Sequence, residues 1–496
     1  VIPTSLRAAA ALCACLALAS ACTSPPSPAI VSSLPAGASP PASAVALPSP
    51  SRPSPTASSP ELPPSAPSAK PPRPSPSPSP SPRPLASPHG EFALRAGALL
   101  RQVTLSNGVP VYIEADPSAS SLTICLAFLP SPDAPAGMEA ADYLVLAAMA
   151  LSVKECQARA EAWRDRACLF ARIAPGSEAR AFAELSGMLG RSGRTMPDFR
   201  TALAHAKVEA SAREADSSAN ILSRLDEASL AGGPFSDDPR GRSSSLASLS
   251  QSDLAGWAAS SMGSERLTIS VSGHADTQSL STAMESTFGV LPAIKQRRQS
   301  FPDTETISGI RFSVCAAAAL PASPGAFGFV YAMPSPNDAA FPAALLAQRA
   351  LRGLMVIGIA QRGWAGASAD AGVREDGPAR GFAIIRGAPS PQDALDCILE
   401  AAARLASGQA ALSAVSSLMG ISEALPSLKA DCIVERYAGS ASNAGMAGLL
   451  AHSAALGLGP AWHLAIIEAI EGVQAEEVIS AFSAVAARAG LIQTVP

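Results

Sequence analysis

Zinc hydrolysis needs two or three nitrogen or carboxylate donors on one face, with a carboxylate beside them to take a proton from the bound water. The chain has five histidines, His89, His205, His274, His452 and His463, and no H-x-x-x-H or H-E-x-x-H. His452 and His463 lie eleven apart. That is about 16 Å along a helix, too far to share an ion, and Gly457, Gly459 and Pro460 interrupt such a helix. The acidic candidates are Glu139 and Asp142 in GMEAADYLVLAAM (137–149), with Glu209 and Glu214 in AHAKVEASAREAD (204–216). An acid pair in a first helical turn is ordinarily solvated and favoured by the helix dipole. No G-x-S-x-G precedes a helix, and GGPFSD (232–237) lacks the lysine of a phosphate loop. Of nine cysteines, Cys125, Cys156, Cys168, Cys315, Cys397 and Cys432 fall in the later sequence without a C-x-x-C pair. They read as buried small hydrophobes, with one or two disulfides open outside the cytoplasm.

The elements that would position these groups are legible over 91–496. RQVTLSNGVPVYIEAD predicts a hairpin turning on Asn107-Gly108, the strongest two-residue turn signal. SLTICLAFL follows as a strand, and GMEAADYLVLAAM opens a buried helix. SVKECQARAEAWRDRACLFARIA (152–174) predicts a helix running into a strand. Amphipathic helices, the loop GGPFSDDPRGR, a short helix and the strand RLTISVSG complete the first unit. Its plan recurs in the strands GIRFSVCAAA and GAFGFVYAMP, a long helix over 337–361, two more strands and PQDALDCILEAAARLAS. Two α+β units of roughly 200 residues, facing each other across a cleft, are the expected architecture.

Ahead of them lies a different composition. Arg7 and the apolar Ala8–Ala19 make a signal-like segment, too short to span a bilayer. It ends in ASAC, which resembles a bacterial lipoprotein signal with Cys22 as the lipidated residue. Ala19 stands where that pattern prefers leucine, and ASA is also an A-x-A cleavage site for plain secretion. A Pro/Ser/Ala tract follows to Gly90. It cannot bury a core, and at about 3.1 Å per residue it reaches on the order of 200 Å. The expected organisation is 1–22 signal, 23–90 disordered linker, 91–300 first domain and 301–496 second domain. A net charge of −4 and no basic, aromatic-laced stripe argue against nucleic acid.

TLSNGVPVYIEADPSA, AGGPFSDDPRGRSSSLASLSQSDLAGWAASSMGSERLTISVSGHAD and FGVLPA together resemble the pitrilysin/insulinase-type zinc peptidases, the inverzincins, over almost all of 98–496. The resemblance implies two homologous insulinase-like α/β-roll domains in tandem. It also implies where a site would be, and there the chain departs. Aligned from Gly137, the histidine positions of H-x-x-E-H hold Ala140 and Leu144, and the general base is Tyr143. A shifted register matching Met149 gives Leu144 and Ala148. Glu209 stands at the distal ligand, with Glu214 as the alternative. In the second domain the family's R-x-x-x-G-x-x-Y becomes Ile359, Gly363 and Gly366, with Arg362 close to the arginine position. Inactive members of the family often pair with an active subunit, as in the mitochondrial processing peptidase. The implied protein is a non-catalytic homologue without metal or other cofactor, lipid-anchored in a bacterial envelope. Its partner is an active peptidase subunit or a second copy, and its ligand a peptide or unfolded polypeptide. The alternative is a membrane-tethered peptide-binding scaffold with no peptidase partner.

Overall fold

β1 (Leu99–Thr104) and β2 (Pro110–Ala115) form the expected hairpin, with Thr104 opposite Pro110. The connection is longer than a two-residue turn. Leu105 N donates to the Val109 carbonyl at 2.9 Å, which leaves Ser106, Asn107 and Gly108 as the loop, with Gly108 at φ +86°. Tertiary contacts account for the difference. The Asn107 amide donates to the Phe288 and Leu291 carbonyls at 2.8 and 3.2 Å, so this tip is pinned to a distant segment.

The computed structural model describes residues 99–131, 135, 137–190, 198–230, 235–292, 326–412 and 417–489. The signal and linker expectations, the strand GIRFSVCAAA and the 300/301 boundary lie outside them. Residues 82–496 fall in one unit.

The first half continues with β3 (Leu122–Phe128), α1 (Ala141–Ser152), β4 (Gln157–Trp163) and β5 (Arg166–Ile173). Here a helix was expected before β5, and a strand occurs. The residues alternate: Ala158, Ala160 and Ala162 pack inward while Gln157 and Arg159 face solvent. Period two, not the helical spacing of the alanines, is what the core selects. Then follow α2 (Glu178–Gly190), α3 (Phe199–Ala215), α4 (Ser217–Ser229), α5 (Ser243–Ser248), α6 (Gln251–Ser261), β6 (Leu267–Gly273) and α7 (Thr277–Thr287). The sheet order is β1-β2-β6-β3-β5-β4; β2 and β6 run parallel and the other pairs antiparallel. Ile113, Ile124, Leu126, Leu169 and Ile269 bury one face with Leu144 and Leu146 of α1.

In the second half β7 (Ala326–Ala332), α8 (Phe341–Gln361), β8 (Ser368–Arg374) and β9 (Arg380–Arg386) repeat the order strand, helix, strand, strand. Their sheet runs β7-β9-β8, all antiparallel, as β3-β5-β4 does. α9 (Pro391–Ala406), the small pair β10 (Gln409–Ala410) and β11 (Met419–Gly420), α10 (Ile421–Ser440), α11 (Asn443–Ala455), α12 (Trp462–Gly472) and α13 (Ala475–Ala489) complete it. Phe327, Phe329 and Ile385 bury the inner face against α8, α9 and α13. α8 is long and apolar enough to cross a membrane, and most of it is buried in this core.

The outer faces are covered by exchange. Ala447 and Ala451 of α11 pack on Cys125, Ala127, Cys168 and Phe170 of the first sheet, and Met446 and Leu450 pack on Leu100 and Tyr112. Ser270 Oγ donates to the Ala447 carbonyl at 2.6 Å. In return, Ile221 and Leu225 of α4 pack on Val330, Phe382 and Ile384 of the second sheet. Each half thus contributes one helix to the other's sheet.

Candidate functional site

α1 occupies the place predicted for a metal-binding helix. Ala140 is its N-cap, with no side-chain cap. It is 1% exposed and lies under the loop that carries Gly241. A Cβ on Gly241 would come within 2.9 Å of the Ala140 Cβ and 2.8 Å of Leu246 Cδ2, and this glycine holds φ +77°. Leu144 and Ala148 are fully buried. In either register, therefore, the ligand positions are packed core with no room for an imidazole.

Tyr143 and Glu209 are brought together from α1 and α3. The Tyr143 hydroxyl donates to Glu209 Oε2 at 2.9 Å. Burial, then the hydrogen bond and the charge of Glu209, push the phenol up to about 12. Glu214, the alternative, accepts from Ser243 N at 2.8 Å. Glu139 accepts from Gly137 N at 2.7 Å, a local turn.

Asp142 corrects the expectation of a solvated first turn. Its carboxylate accepts from Trp257 Nε1 at 2.8 Å and pairs closely with Arg266, a guanidinium 1% exposed. Arg266 also donates to the carbonyls of Leu129 and Ser261 at 2.7 and 2.9 Å. Asp142 neutralises a buried arginine that ties strand ends to α6. A zinc ion does not fit here: Tyr143 and Glu209 are the polar pair, and among the described residues no group of three His, Cys, Asp or Glu side chains could hold a metal ion.

The second-half positions lie elsewhere. Ile359 is 7% exposed inside α8, facing the core. Gly366 has φ +78° in the turn leading to β8. Arg362 caps the end of α8, donating to the Gly358 carbonyl at 3.2 Å and to Glu400 at 2.6 Å. It serves the helix terminus and α9. The described cysteines, Cys125, Cys156, Cys168, Cys397 and Cys432, are free thiols. Cys315 lies outside the described residues.

Charged chemistry concentrates at a junction that the sequence did not advertise. A cleft of about 1300 Å³ is lined by the edge strand β4, α4, residues 238–244, the β8–β9 turn and α11. At its wall two hairpins meet: Arg164-Asp165-Arg166 between β4 and the start of β5, and Arg374-Glu375-Asp376 from the end of β8 into its turn to β9. The exchanged helices each insert one ionisable side chain between them. Asp226 of α4, 3% exposed, pairs with Arg164 at 3.3 Å, Arg380 at 3.0 Å and Arg374 at 3.4 Å. Asp376 pairs with Arg374 and Arg380, both at 3.2 Å. Burial works to raise the pKa of Asp376, and the two arginines outweigh it, holding it down at about 2.

His452 of α11 is the second inserted group. Its Nδ1 lies 3.1 Å from Asp165 Oδ2 and 2.8 Å from Arg166, and its Nε2 lies 3.4 Å from Glu375 Oε2. Glu375 pairs closely with Arg436 of α10. Burial opposes its ionisation, but Arg436 and His452 outweigh burial and bring its pKa to about 2. The one sequence-level hint was the recurrence of a charged triplet at corresponding turns.

Neither a family model nor a curated protein matches the sequence. Solved structures do. A protease from Helicobacter pylori is 14% identical, with TM-score 0.64, over 78% of this chain and 96% of that one. A putative M16-like peptidase from Alicyclobacillus acidocaldarius is 13% identical, with TM-score 0.59, over 79% and 96%. A peptidase M16 inactive domain from Pseudomonas fluorescens is also 13% identical, with TM-score 0.60, over 78% and 94%. The chain has an M16 peptidase-like fold.

Proposed function

We propose that this chain is a non-catalytic peptidase homologue that holds a peptide or unfolded polypeptide in its cleft. It acts as the inactive partner of an active zinc peptidase, in a bacterial envelope where Cys22 carries the lipid. The observation that carries this reading is the packing around Ala140 and Leu144. A helix kept for metal chemistry would leave space and donors there; this one is filled with apolar contacts, and Tyr143 is bonded to Glu209. The fold shared with an M16 inactive domain is in line with it. The cleft itself favours a second reading, a tethered peptide-binding scaffold that works without a peptidase subunit.

Elemental analysis for zinc, run beside casein cleavage with and without chelator, tests the first step. The expected result is no stoichiometric zinc and no chelator-sensitive cleavage; finding both would sink the proposal. Co-purification with a chain bearing H-x-x-E-H separates the partner reading from the scaffold.

A further inference from the structure

The two inserted side chains differ in one chemical respect. Asp226 lies among three arginines, and its junction is a cluster of direct ion pairs. His452 carries an imidazole, the side chain whose ordinary pKa lies nearest the physiological range. Its neighbours are arranged so that the titration matters. Asp165 has its own arginine, Arg166, at 2.5–2.6 Å within the first half's turn. Glu375 has its own, Arg436, within the second half. Each acid thus has an arginine in its own half, Arg166 keeps a buried Nε without a hydrogen-bond partner, and His452 is the group that joins the two pairs.

A neutral ring accepts from Arg166 at Nδ1 and donates from Nε2 to Glu375. A protonated ring donates from both nitrogens, to Asp165 and to Glu375. We propose that His452 is a proton-operated clasp on the cleft wall. With its proton, it binds the β4–β5 turn, α11 and the β8–β9 turn together; without it, Asp165 is released to Arg166 and the wall loosens. This rests on the reading of the cleft as the binding surface, and it adds how access to that surface is regulated.

The charged groups facing His452 are Asp165 and Arg166 from the first sheet, Glu375 from the β8–β9 turn and Arg436 of α10 behind Glu375. Trp462 of α12 meets the ring edge to face, centroids 6.2 Å apart. Burial and Arg166 pull the ring's pKa down, and the hydrogen bonds to Asp165 and Glu375 outweigh them, so it stands above the ordinary histidine value. The contribution of the clasp is therefore complete below about pH 6.5 and is lost as pH rises through the raised value. His463, also on α12, is pushed by burial down to about 4 and stays neutral throughout.

The test is histidine ring NMR on the full chain across about pH 5 to 9, with His452→Gln to assign the resonance. Amide exchange at 164–166 and 374–376, corrected for intrinsic pH dependence, is read alongside. The expected result is a His452 midpoint above the ordinary value and a loss of protection of about tenfold across it. Asp165→Asn should lower the midpoint and flatten the exchange profile even if the glutamine variant folds poorly. A midpoint at or below the ordinary value, or protection unchanged across it, overturns the clasp. Peptide binding is measured separately: if the clasp titrates as expected while no peptide binds at any pH, the clasp stands and the cleft reading fails.

Discussion

α1 and the hairpin junction treat polar groups in opposite ways. On α1 the positions where metal chemistry was sought are Ala140 and Leu144, each at most 1% exposed, and the helix packs as a core element. At the junction, Arg164, Asp165, Asp226, Asp376, Arg380 and His452 are all buried, yet every one of them is paired. A buried ion is costly unless its partners and hydrogen bonds are complete. Such a set is therefore kept where two bodies must meet in one register. The contrast separates a helix retained for packing from an interface retained for fit.

The largest effect should come from Asp226→Ala. It removes the carboxylate shared by Arg164, Arg374 and the fully buried Arg380, leaves Arg380 with Asp376 as its one acidic partner and Arg164 with backbone carbonyls, and should cost about 3–5 kcal/mol. Urea denaturation reads this directly, and a loss under 1 kcal/mol would show that the arginines find other partners, removing the basis of the contrast.

Next is the attempt to restore a metal site. Ala140→His with Leu144→His forces two imidazoles into space held by Gly241, Leu246 and the α1 core, and should cost about 2–4 kcal/mol without zinc uptake. Stoichiometric zinc in a stable variant would mean that the helix has retained the geometry of a site.

Glu375→Gln probes the junction by pH. Because the Glu375 pKa is lowered to about 2 from its ordinary value of 4.5, its stabilisation is present above 4.5 and lost as pH falls toward 2. The glutamine variant should be about 2–3 kcal/mol less stable at neutral pH and show a flatter acid limb. An acid limb identical to that of the parent would leave Glu375 without a role in it.

The smallest effect belongs to Tyr143→Phe, which removes one hydrogen bond to an exposed glutamate and should cost about 0.5–1 kcal/mol. Its signature is spectroscopic. The raised phenol contributes stability below pH 10 that is lost as pH rises through about 12. The variant should accordingly remove a phenol that ionises at about 12, and an unchanged alkaline titration would contradict the contact.

Much of this was legible from residue patterns. The Asn-Gly tip, the apolar strand at 122–128 and the strand–helix–strand–strand order of the second half follow from local chemistry and periodicity. The family resemblance put Tyr143 and Glu209 at positions of one site, but their hydrogen bond was not foreseen. β4 was misread because its alanines suit either period, and a sheet edge, not propensity, decides between them. Asp142 was misread because its partner, Arg266, is 124 residues away.

The sequence by itself determined which segments are apolar, where they turn and that no histidine pair stands on α1. It could not decide which sheet each helix covers. The stripes Ile221/Leu225 and Ala447/Ala451 each require an apolar surface, and hydrophobic burial carries no address. Tertiary structure sent each to the other half's sheet, and in doing so set Asp226 and His452 between two charged turns. The physical reason is that shape and charge complementarity among distant segments exist only once the sheets are built, so the junction is a property of the assembled fold.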